Sequence, residues 1–210
     1  MCKKGFTIIE IVILFLLILG VTFFIIPKNL ETTKQAKFIS KWIQKYSELE
    51  YMFSVIKAQH GGDLHEKINN AKDNNIRKNI LLETIKPYLR ITSEVKTDYK
   101  QYFKNGEEVT PSGKYYFEHF YFTNVDEIVG LKWFNQQCSD KIVCAIMNFD
   151  LNGLNPPNKW GYDIFGINIY QNDIEPMGKG IDPFILKKDC YNGGYGVYCA
   201  YYYLIGGRFD

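Results

Sequence analysis

The 210-residue sequence is 46% hydrophobic and 16% aromatic, which excludes wholesale disorder and fits one domain of ordinary size with some chain to spare. Its 25 Lys+Arg against 23 Asp+Glu give a formal charge of +2, too even for a dedicated nucleic-acid binder with a strongly basic face. The mean hydropathy is slightly negative, which excludes a polytopic membrane protein.

One segment departs from that mean. Residues 6–26 read FTIIEIVILFLLILGVTFFII. As a helix they span roughly 31 Å, against a bilayer core of about 30 Å, and so predict a single membrane crossing. Lys3 and Lys4 precede the run and Lys28 follows it. By the positive-inside rule Lys3 and Lys4 predict a cytoplasmic N-terminus with the rest of the chain outside. No small-residue cleavage site follows, unlike a secretory signal peptide. Glu10 lies inside the apolar run, where an ionised carboxylate is costly, so it marks a functional site by default.

Beyond Pro27 the pattern stays helical and becomes amphipathic. Phe38, Ile39, Trp42, Ile43, Tyr46, Leu49, Met52, Phe53 and Ile56 form one apolar stripe, with lysines on the other positions. His60-Gly61-Gly62 closes the helix, Gly61 being suited to a C-terminal cap. Asp63 to Tyr88 reads as a second helical region, weakened near its middle by Asn69, Asn70, Asn74 and Asn75, with Pro87 at its end. From Ile91 strands and turns dominate. Tyr115–Phe122, Ile128–Phe134, Ile142–Phe149, Asp163–Tyr170 and Ala200–Ile205 are the strand candidates, separated by Gly-, Asn- and Pro-rich turns. The organisation is residues 1–5, then 6–26 apolar, 27–62 amphipathic and 63–210 a globular head, helical over 63–90 and β-rich over 91–210. That order predicts an α+β fold in which a long N-terminal helix packs on an antiparallel sheet.

Lys3-Lys4-Gly5-Phe6-Thr7-Ile8-Ile9-Glu10 resembles the leader junction of type IV prepilins and type II secretion pseudopilins. The resemblance implies a leader of residues 1–5 cut after Gly5 by a prepilin peptidase, N-methylation of Phe6, and a role for Glu10 in filament assembly. It also implies a pilin-like spine, partner pilin subunits, an assembly platform and, before assembly, the bacterial inner (cytoplasmic) membrane. The filament would then be extracellular or periplasmic. Pro27 falls where that family carries a helix-kinking proline. Two further segments are similar to prepilin-type proteins. One is Asp150-Leu-Asn-Gly through Pro157-Asn158 to Gly161-Tyr-Asp163-Ile-Phe, and the other is the glycine-rich ending between Cys190 and Cys199.

Asp150, Asn152, Asn155 and Asp163 offer hard oxygen ligands of the kind calcium takes, and some pseudopilins carry calcium in a late loop. Gly153 comes too early for an EF-hand loop. The competing reading is a turn-rich connector with Asx turns at Asp150 and Asn152. Loss of the leader removes Cys2 and leaves Cys138, Cys144, Cys190 and Cys199, for which three pairings exist. The local choices are Cys138 with Cys144 and Cys190 with Cys199, permissible in an exported head. No CxxC, GxSxG, P-loop or HExxH occurs, and His60, His65 and His119 have no ligand spacing, so no enzyme is expected. The expected function is a structural filament subunit. The alternative is a minor or tip subunit whose aromatic head, led by Tyr115–Phe122, binds DNA, glycan or a surface.

Overall fold

The computed structural model describes residues 8–59, 68, 71, 73–134, 139–191 and 193–208, apart from the side chains of 21–31. The chain divides into two compact units, Met1–Lys37 and Phe38–Asp210. Helix α1 covers Ile8–Gln59 and contributes to both. In the first unit every described large apolar side chain of α1, from Ile8 to Leu19, is exposed.

The expected membrane span, and with it the single-pass inner-membrane localisation, is overturned. Among the described residues no helix is long and apolar enough to cross a membrane.

The second unit is α+β, built on one six-stranded antiparallel sheet in sequence order. Its strands are β1 Ile91–Glu94, β2 Phe120–Thr123, β3 Ile128–Trp133, β4 Ala145–Asp150, β5 Ile164–Ile169 and β6 Ile174–Pro176. The central strand β4 is buried along its whole length, so both sheet faces are covered. On the first face Phe149 pairs with Phe165, and the Trp42 ring stacks on Phe165 at 5.1 Å and 15°. Trp42, Leu49 and Ile56 recur at helical spacing and are at most 1% exposed, so the predicted stripe is the core face of α1. Ile43, placed in that stripe from sequence, is 43% exposed. The Trp42 Nε1–H donates to the Ala200 carbonyl at 2.8 Å, which satisfies the ring's one polar atom. Lys45 and Glu127 form an ion pair at 2.8 Å that ties α1 to the β2–β3 turn.

The second sheet face is covered by irregular chain. Phe117 and Trp160 stack with centroids 6.4 Å apart, and Trp160 fills the space above Gly166 where a Cβ would stand. The aromatic run expected as one strand over Tyr115–Phe122 joins the sheet only from Phe120. Its earlier rings fold over the sheet instead, because Phe117 is 1% exposed and Tyr115 packs near Trp160.

Helix α2 covers Asn74–Leu89. Asp73 caps it by accepting the Asn75 N–H at 3.2 Å, and Arg90 closes it at φ 51°, with Pro87 in the last turn. Two short helices follow the sheet, α3 Pro183–Cys190 and α4 Cys199–Leu204. The strand expected at Ala200–Ile205 is therefore a helix. The Tyr202 N–H donates to Tyr198 O and the Ile205 N–H to Tyr201 O, so four-residue spacing wins over the β preference of three tyrosines. Cys199, Ala200 and Tyr203, the buried positions, then share one side of the helix.

Candidate functional site

The most polar part of the buried interior lies on the second sheet face. Asp150 ends β4 and Asp163 stands just before β5, and both are fully buried. Antiparallel pairing places the two strand ends side by side, and the Leu151 N–H donates to Asp163 O at 3.0 Å. The 151–163 connector turns on the carboxylates themselves. Asp150 Oδ1 accepts the Asn152 N–H at 3.1 Å. Asp163 Oδ1 accepts the Lys159 N–H at 2.6 Å, and Oδ2 accepts that of Asn158 at 3.0 Å. Asn152 and Asn155 exchange amide-to-carbonyl bonds of 2.8 and 2.9 Å. Gly153 and Gly161 take φ +67° and +72°. A side chain at either would also strike its neighbours, the Asp126 carbonyl and the Cys199 sulfur respectively.

Asp150 Oδ2 accepts the Tyr99 hydroxyl at 2.5 Å. From there a buried chain of polar groups leads back across the sheet. Gln101 Nε2 donates to Tyr99 Oη at 3.4 Å, Asn148 Nδ2 to Gln101 Oε1 at 3.0 Å, and the Gly130 N–H to Asn148 Oδ1 at 2.9 Å. Burial pushes Asp150 well above the usual carboxylate range, and the neighbouring Asp163 charge pushes it further. Tyr99 and the turn amides oppose both effects. Burial raises Asp163 to about 6 against the hydrogen bonds from Lys159 and Asn158. Tyr99 is itself raised, first by burial and then by the Asp150 charge.

The expected calcium ligands thus separate into two groups. Asp150 and Asp163 come together. Asn152 presents Oδ1 as a buried oxygen with no hydrogen-bond partner, a donor suited to a hard cation. Asn155 is exposed, and its amide nitrogen donates to the Asn152 carbonyl. Asn158, not singled out from sequence, carries a second such oxygen.

Cys190 and Cys199 form a disulfide with Cα atoms 5.2 Å apart. Asp189 organises the loop they close, accepting the Tyr195 and Tyr198 N–H groups at 3.1 and 2.7 Å. Lys104 Nζ donates to Cys190 O and to Tyr203 Oη, and burial lowers its pKa to about 8. Cys144 is buried and disulfide-bonded, while Cys138 lies outside the described residues. Gly5 and Phe6 also lie outside them, and Glu10 is exposed in the first turn of α1. His119 sits at the exposed β1–β2 edge, 2.7 Å from Glu94. Tyr99, Gln101, Asn148 and Lys104 were not picked out from sequence, since each acts through a partner 47 or more residues away. Compared with protein-family models, with curated proteins and with solved structures, the chain gives no match.

Proposed function

We propose that the chain is a structural subunit of a pilin-like helical filament, assembled through the first part of α1. The observation that carries this reading is the exposure of Ile8 to Leu19. These side chains are 39–82% exposed and point to all sides of the helix. A helix that is apolar all round is buried in its working state. Like helices of neighbouring subunits supply the cover that this chain does not supply itself. The prepilin-like junction supports the same reading. Cleavage after Gly5 creates an amine on Phe6, and Glu10 lies four residues on in the sequence. In a bundle of such helices, Glu10 of one subunit pairs with the Phe6 amine of the next and neither charge stays alone among apolar side chains.

The test is made on native high-molecular-weight assemblies. Intact mass and N-terminal fragmentation are expected to give N-methyl-Phe6 as the first residue. Assemblies built from chains that still begin at Met1 sink the assignment. Glu10→Leu keeps the apolar length and removes the partner, so its incorporation is expected to fall. Incorporation equal to wild type would show that the pairing does not position the subunit.

A further inference from the structure

Beside the buried polar chain lies a cavity of about 310 Å³ that the filament reading does not use. Its lining is aromatic within and acidic without. Tyr99, Tyr116, Phe117 and Phe120 supply rings, and Asp98 and Glu108 supply carboxylates. The rings are set before any ligand arrives. Tyr99 meets Phe120 edge-on at 4.7 Å and 75°, and Phe117 lies 6.0 Å from Phe120. Tyr99 is further pinned by its hydroxyl on Asp150, and Phe117 by its stack on Trp160. The polar atoms of Gln101, also in the wall, are spent on Tyr99 and Asn148. The charges left at the site are therefore two carboxylates and one ammonium, that of Lys100. Its Nζ lies 3.1 Å from Glu108, with both side chains about half exposed. The Asp98 carboxylate is exposed, and its charge also acts on the Lys100 ammonium.

We infer that this cavity binds an alkylammonium group, with the rings of Tyr99, Tyr116, Phe117 and Phe120 around the cation and Asp98 and Glu108 at the mouth. Aromatic faces carry negative potential and attract cations, most strongly where water is excluded. An anion would meet the same faces and both carboxylates with only Lys100 in its favour. A neutral ligand would use the rings and leave the carboxylates idle. The volume lies at the small end of ligand sites and suits a headgroup of choline size or the end of a lysine side chain. Lys100 occupies one of the two carboxylates in the free protein and so competes with the ligand.

Three probes separate the possibilities on the full chain: choline, Nα-acetyl-lysine methylamide, and 3,3-dimethylbutan-1-ol, the neutral isostere of choline. Binding is read from ligand-observed saturation-transfer NMR and from amide shifts over residues 98–120. At least one of the two cations is expected to bind at least about tenfold more tightly than the alcohol, since only cations use ring potential and carboxylates together. Preference for choline marks a free quaternary ammonium as the ligand, and preference for the lysine derivative marks a side chain of a protein partner. Asp98→Asn is expected to weaken binding and Lys100→Gln to tighten it about threefold, the size of change given by removing one half-exposed charge. Both are surface changes and leave the fold intact. Equal affinity for choline and the alcohol, no response to either cation, or no tightening by Lys100→Gln overturns the inference.

Discussion

Replacing Asp150 by Asn tests whether the buried carboxylate pair governs stability as its surroundings imply. Both acids are held above their ordinary range mainly by burial. Moving Asp163 from 3.8 to about 6 makes its ionised form about 3 kcal/mol less favourable in the fold than in the open chain. The sign follows from proton binding. Between pH 4 and 6 the folded protein keeps a proton on Asp163 that the unfolded chain has released, so stability falls as pH rises. Burial and the Asp163 charge raise Asp150 as well, so its proton adds to the same fall. In Asp150→Asn that second contribution is gone. The amide oxygen still accepts the Asn152 N–H, and the amide nitrogen can donate to Tyr99 Oη, because a hydroxyl also accepts.

Urea denaturation followed by fluorescence of the buried Trp42 and Trp160 gives stability at each pH. Wild type is expected to lose stability continuously from pH 4 to pH 6. The variant has one proton-holding acid fewer, so it is expected to fall less steeply over that range and to level off above it, where Asp163 is ionised in both states. Wild-type stability that is flat or rising over this range refutes the argument, as does a variant that keeps falling in parallel.

Three further outcomes concern the same connector and the disulfides. Calcium at millimolar concentration is expected to raise Tm more at pH 8 than at pH 5, because Asp163, raised to about 6, is ionised at the first and not at the second, and a hard cation needs its charge beside Asn152 Oδ1; no shift at pH 8 removes these residues as calcium ligands. Cys199→Ser opens a nine-residue separation and is expected to cost about 2–3 kcal/mol by the chain-entropy model, read from urea midpoints. Non-reducing peptide mapping of wild type should join Cys190 to Cys199, and Cys144 to Cys138.

The parts legible in the sequence are those whose signal is local. The α1 stripe from Trp42 to Ile56 repeats at helical spacing, Ile128–Trp133 and Ile164–Ile169 fall within predicted strands, and Ala145–Asp150 runs one residue past the strand predicted over Ile142–Phe149. Helix α3 is too short for a periodic apolar pattern to show, although Asp182-Pro183 is a helix-start signal, with Asp182 accepting the Phe184 N–H at 2.9 Å. Strand β6 is three residues long and ends in proline, below what alternation reveals. The tyrosines of α4 carried a strand preference that the helical buried side set by Cys199, Ala200 and Tyr203 overrides. At the candidate site Asp150 and Asp163 stood out by motif, but their burial did not. It depends on Tyr99, which reaches Asp150 across 51 positions, and no spacing rule links residues so far apart.

Tyr99 is where the two polar features of the second face meet. Its hydroxyl belongs to the carboxylate pair and its ring to the aromatic cavity. Were the ring held only by the hydroxyl, any change at Asp150 would also disturb cation binding. The contact with Phe120 at 4.7 Å, and Phe120's own contact with Phe117, give the ring a second hold that does not pass through Asp150. Asn at position 150 moreover keeps a hydrogen-bonding group opposite the hydroxyl. The pH dependence of folding and the occupancy of the cavity are therefore separable. Asp150→Asn changes the first through charge, whereas Lys100→Gln changes the second at the mouth, where both members of the Lys100–Glu108 pair face water.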